Sequence, residues 1–172
     1  MRQRIVVGVS GSLGSLTALH QAASEARERG AELRAVLAWQ LPGGGLGSRT
    51  TLGAEMFREC RAAAREELCA ALDLAFAARG PGVTLSGYTV RGEPGAVLVD
   101  AVRSADDLLV VGTGLRGRWF SGLRAPVARY CLTHAPCPVL AVPPNPLEAE
   151  LAAVRRTAWH LPLTAREREP ER

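Results

Sequence analysis

Five short apolar runs, separated by stretches whose apolar residues recur every three to four positions, restrict this chain more than any other feature. The runs are Arg4-Ile5-Val6-Val7-Gly8-Val9, Glu32 to Trp39, Thr84 to Val90, Asp107-Leu108-Leu109-Val110-Val111-Gly112 and Pro138-Val139-Leu140-Ala141-Val142. Short runs rich in branched residues and closed by turn residues read as strands, and an unbroken apolar run such as 107–112 reads as a strand covered on both faces. Between the first two, Leu16, Leu19, Ala22, Ala23 and Ala26 keep helical spacing from Leu13 to Arg29, with Ser12 placed to cap the helix and Gly30 to end it. A second helix is expected from about Leu52 to Ala78, with Phe57, Leu68, Leu72 and Phe76 inward and Gly80-Pro81-Gly82 stopping it. Pro94 to Ser104 and Val127 to His134 complete the set. Strands that alternate with helices lie parallel, joined by right-handed crossovers. The expected fold class is therefore α/β: a single doubly wound domain with a five-stranded, mainly parallel sheet and helices on both faces.

With 172 residues and 47% hydrophobic side chains, the chain has enough apolar material for one core and too little length for two ordinary domains. The expected division is a domain over 1–143 and an extension over 144–172. The extension opens with Pro143-Pro144-Asn145-Pro146, has helical spacing at Leu151, Val154 and Trp159, and ends in a charged tail too polar to order alone. No run reaches the roughly eighteen apolar residues of a membrane span, and the first residues lack the pattern of a secretory signal, so a cytoplasmic protein without membrane association is expected. The net charge of +4 comes entirely from arginine, scattered and often beside acids, as in Glu25-Ala26-Arg27-Glu28-Arg29. Such scatter marks solvated helix faces, and no nucleic-acid partner is expected.

In open α/β sheets ligands bind at the carboxyl ends of the strands, near the switch in strand order. That directs attention to Val9, Ser10, Gly11 and Ser12, to the end of the second strand at Ala38, and to the loop after Gly112. The run Cys131-x-x-His134-x-x-Cys137 has metal-like spacing but lacks an evident fourth ligand, so no metal is expected and Cys60, Cys69, Cys131 and Cys137 read as reduced thiols. His20 and His160 fall on a helix surface and in the extension, outside any catalytic grouping.

Taken in order, Val6-Val7-Gly8-Val9-Ser10-Gly11-Ser12, Val36-Leu37-Ala38-Trp39, Arg91-Gly92-Glu93-Pro94, Asp107 to Gly112, and His134-Ala135-Pro136-Cys137-Pro138-Val139-Leu140 resemble a universal stress protein of the actinobacterial type over about Arg4 to Pro143. The resemblance implies a Rossmann-like fold of the adenine nucleotide alpha hydrolase kind. It also implies, for members that bind ATP, the pattern G-x-x-G-x9-G-[ST] after the fourth strand. Glycines there let backbone approach the phosphates, and the last residues set amides and a hydroxyl at a helix N-terminus.

Gly112 matches the first glycine of that pattern. Leu115 stands at the second, Ala125 at the third and Pro126 at the serine or threonine, while Ala128 lacks a hydroxyl found further on and Ser10 occupies the place of a nucleoside-contacting aspartate. The candidate nucleotide-binding positions are thus Val9, Ser10, Gly11, Ala38, Gly112, Gly114, Leu115, Gly117, Ala125, Pro126 and Val127. Gly114 and Gly117 lie near enough to the expected glycines for a shifted loop, and Arg116, Arg118, Arg124 and Arg129 offer charge, or are simply solvated. Trp119 and Phe120 read as packing of that loop.

The expectation from the resemblance is a non-enzymatic stress-response or regulatory protein with weak or lost ATP binding, no catalytic residue and no cofactor; ATP with magnesium enters only if the altered loop 112–127 still binds. It also implies a homodimer through Val139, Leu140, Ala141 and Val142, together with a protein partner whose identity the residues do not specify. An ATP-pyrophosphatase-like enzyme is the remote alternative, since Ser12 and Gly14 break the S-G-G-x-D-S pattern of that class.

Overall fold

The computed structural model describes residues 3–41, 54–113 and 126–145. Its elements are β1 (Arg4–Val9), α1 (Leu13–Arg29), β2 (Glu32–Trp39), α2 (Ala54–Phe76), β3 (Leu85–Arg91), α3 (Pro94–Ala101), β4 (Leu108–Gly112), α4 (Pro126–His134) and β5 (Val139–Val142). The strands form one sheet in the order β3-β2-β1-β4-β5, and every neighbouring pair is parallel. The order reverses between β1 and β4, so the crevice at the carboxyl ends of these two strands is the switch point of the fold.

Alternation along each strand divides the core in two. Ile5, Val7, Leu33, Leu37 and Val110 pack with Leu19, Ala22 and Leu68 of α1 and α2. On the other face, Val6, Val36, Leu109 and Val111 pack with Val97, Leu98, Ala128 and Cys131 of α3 and α4. A strand that feeds both layers has no polar face to keep, which is why β1 and β4 are apolar throughout. Of the aromatic residues expected inward on α2, Phe57 packs beside Trp39 with ring centroids 5.4 Å apart, and Phe76 meets His20 of α1 edge-on at 5.8 Å.

Helix α1 has the ends its sequence announces. Ser12 Oγ accepts from the Ser15 amide at 3.3 Å, and Gly30 adopts the left-handed conformation (φ 61°) that closes the last turn. Helix α3, expected to reach Ser104, stops at Ala101, and the fourth strand begins at Leu108 rather than Asp107. Both differences have one cause. The chain leaves the helix at Val102 so that the amides of Arg103 and Ser104 donate to the Asp107 carboxylate at 3.0 and 3.2 Å.

Asp107 is 1% exposed, and the Arg4 guanidinium reaches it at 3.2 Å while the Arg4 amide donates to it as well. Burial alone would raise the acidity constant of this carboxyl. The Arg103 amide, the Arg4 charge and the Ser104 amide outweigh burial and hold it below the ordinary aspartate value. The pair joins the amino ends of β1 and β4.

Candidate functional site

The β1-α1 turn is built from small residues because it has to reverse direction within a few positions. Gly11 takes a left-handed conformation (φ 57°), Ser10 and Ser12 are exposed, and their hydroxyl oxygens lie 3.0 Å apart. Ser15 Oγ donates to the Ser12 carbonyl at 2.8 Å, tightening the first turn of α1. The polar side chains of the turn are therefore hydroxyls, bonded to each other or to the backbone.

Gly112 ends β4 directly against that turn. A Cβ there would stand 2.7 Å from the Gly14 carbonyl oxygen and 3.0 Å from its carbon, closer than real Cβ contacts, and the obstacle is backbone. The glycine that the sequence pattern assigns to phosphate approach is thus required by the seating of α1 on β4, whatever ligand is present. Beyond it, Thr113 continues the sheet contact by donating its amide to the Val142 carbonyl at 2.9 Å.

On the other side of β1, Val9 pairs in register with Leu37, which places half-buried Ala38 next along β2 at the rim of the crevice. The Gly92 amide donates to the Trp39 carbonyl at 3.0 Å, and Gln40 Nε2 donates to Glu93 at the start of α3. Helix α4 returns from the same end of the sheet. It opens at exposed Pro126, followed by half-buried Val127 and buried Ala128. Its side is set by Gly95 of α3, where any Cβ would stand 2.7 Å from the Tyr130 ring.

The structure thus places Val9, Ser10, Gly11, Ala38 and Gly112 at the ends of three adjacent strands, with Pro126 and Val127 opening α4. Gly114, Leu115, Gly117 and Ala125 lie outside the described residues, as do Arg116, Arg118, Arg124, Trp119 and Phe120.

Comparison with known proteins decides the family: residues 1–143 match the sequence model of the universal stress protein family. The chain belongs to this family. No curated protein sequence matches it. Among solved structures, a universal stress protein from Archaeoglobus fulgidus is 30% identical, with a TM-score of 0.58 over 83% of this chain and 99% of its own. The universal stress protein of the same organism in complex with dAMP is 29% identical, with a TM-score of 0.52 over 81% and 97% of the two chains. A universal stress protein in complex with cAMP is 28% identical, with a TM-score of 0.56 over 84% and 99%.

In this universal stress protein the segment before β5 is structural in its details. Cys131 is buried, and burial raises its thiol above the ordinary value; burial also raises Cys137, whose Sγ lies 3.4 Å from the Pro138 carbonyl. Thiols raised in this way are protonated at neutral pH, whereas metals bind thiolate. His134 stacks on Tyr130 at 4.1 Å and its Nδ1 lies 2.9 Å from the Tyr130 carbonyl. Among the described residues, no group of three or more His, Cys, Asp or Glu side chains is gathered to hold a metal ion, and no helix is long and apolar enough to cross a membrane.

One residue at the turn escapes a reading of the sequence. Glu67 of α2 lies over Gly11, with Oε1 2.5 Å and Cδ 3.3 Å from where a Cβ of that glycine would stand. In sequence it is one acid of the Arg65-Glu66-Glu67 run on a solvated helix, and only the packing of α2 beside α1 brings it to the crevice.

Proposed function

We propose that this universal stress protein is a non-enzymatic stress-response or regulatory protein, acting as a homodimer, in which ATP binding is weak or lost. The observation that carries this reading is the opening of α4 at Pro126. A helix N-terminus that faces a ligand crevice offers amides and a dipole to phosphate. Proline has no amide and no hydroxyl there, so the position gives a triphosphate nothing to bond. Ser10, in place of an aspartate, removes an acceptor for the nucleoside. The polar side chains of the β1-α1 turn support a non-catalytic role, because a hydroxyl without an adjoining base is a poor general base. Isothermal titration with ATP and magnesium tests the reading. Very weak or absent heat is expected, and saturable binding in the micromolar range overturns it.

The homodimer rests on β5. It is the last strand of the sheet, Val139, Leu140 and Ala141 are half-buried, and one edge of it has no neighbour among the described strands. Such an edge is stabilised by pairing with a second copy.

A second reading is adenine mononucleotide binding. It is favoured by the relatives solved with dAMP and cAMP, and by the left-handed Gly11 and the small Ala38, which keep side chains out of the crevice at the ends of β1 and β2. A ligand with a single phosphate makes a smaller demand on the loop before α4. Titration with AMP and cAMP separates the two readings: saturation by either, with ATP silent, selects this one.

A further inference from the structure

From the placement of Glu67 we infer that this residue selects ligands by charge: it disfavours phosphate-rich groups at the β1-α1 turn and so determines which nucleotides the crevice accepts. The inference deepens the proposed weakness toward ATP and rests on that reading for its biological meaning. Three observations converge on it. The Glu67 carboxylate lies over Gly11, its Oε1 only 2.5 Å from the Cβ position of that residue. The first turn of α1 carries no acid of its own, so Glu67 supplies from a neighbouring helix the negative charge that a helix N-terminus attracts. No hydrogen bond or ion pair among the described residues neutralises its carboxylate.

A phosphate chain that approaches the turn therefore meets an anion already in place. Each added phosphate charge raises the repulsion, while an uncharged nucleoside is indifferent to it. Gly11 contributes to the same arrangement: a side chain at that position would displace the carboxylate as well as strain the left-handed backbone.

The test uses the full chain and two substitutions, Glu67→Gln and Glu66→Gln. The second removes the same net charge one residue earlier on α2, from an exposed position. Titration with inorganic tripolyphosphate reports on the turn without a nucleoside, and titration with adenosine reports on the nucleoside without phosphate. For tripolyphosphate and ATP, Glu67→Gln is expected to tighten binding about two- to fivefold over the wild type and over Glu66→Gln at low salt, the gain shrinking as salt is added. Adenosine affinity is expected to stay the same in all three proteins. Equal responses of Glu67→Gln and Glu66→Gln to tripolyphosphate and ATP overturn the inference. Failure of adenosine to bind any of the three, with the tripolyphosphate difference intact, counts against the nucleotide reading and leaves the charge selection standing.

Discussion

The Gly14 carbonyl oxygen lies 2.7 Å from the point where a Cβ on Gly112 would stand. Neither partner can step aside cheaply, because one ends a central strand and the other sits in the first turn of the helix packed on it. Gly112→Ala is expected to push α1 away from β4 and to cost about 1–3 kcal/mol of stability, the range for overpacking a well-filled site. Urea unfolding of the ligand-free protein measures this; an unchanged midpoint would return Gly112 to a ligand role alone.

The Arg4-Asp107 pair makes a prediction with a sign. The Asp107 carboxyl is held below its ordinary value when folded, so its contribution is present above the unfolded value of about 3.9 and is lost as pH falls through the depressed folded value. Asp107→Ala is expected to cost about 3–5 kcal/mol at neutral pH, since Arg4 and two amides lose their buried partner. The difference from the wild type should narrow as the pH is lowered below 4, as followed by denaturant titration across pH.

Ser12→Ala removes the cap of α1 and is expected to lower stability by about 1 kcal/mol, with Ser12→Asp recovering most of it. Chemical denaturation of the pair distinguishes capping from a mere change of side-chain volume.

Restoring the family residues before and at the start of α4 tests the proposed loss of ATP binding. The double change Ala125→Gly and Pro126→Ser is expected to tighten ATP binding by about tenfold or more, the worth of one or two hydrogen bonds to a charged group. Calorimetry that finds no gain would place the weakness elsewhere in the crevice.

The proposed dimer can be separated from the fold. The carbonyls of Pro138 and Val142 face β4, so the alternation of the strand turns Ala141 outward, where proline is tolerated on an edge. Ala141→Pro is expected to convert dimer to monomer by light scattering while cooperative unfolding is kept.

The sequence made some of this legible and not the rest, for reasons visible in single residues. Helix α1 could be bounded from Leu13 to Arg29 because its signals, Ser12 and Gly30, act within a few positions of the ends they define. The end of α3 could not, because the carboxylate that draws the chain out of the helix belongs to Asp107, and its demand for amides exists only once Arg4 is beside it. At the crevice, Ser10, Gly11, Ala38 and Gly112 were foreseeable from their places at strand ends. The obstacle that fixes Gly112 and the acid that hangs over Gly11 were not, since both come from neighbours that the chain acquires by folding.

The salt link of Arg4 to Asp107 ties the sheet at the pole opposite the crevice. A scaffold bolted at one end leaves the other end free to be rewritten. Ser10 and exposed Pro126 could be acquired at the crevice without loosening that bolt, and the same freedom makes the crevice a place where new ligand preferences can be engineered into this chain with little risk to its folding.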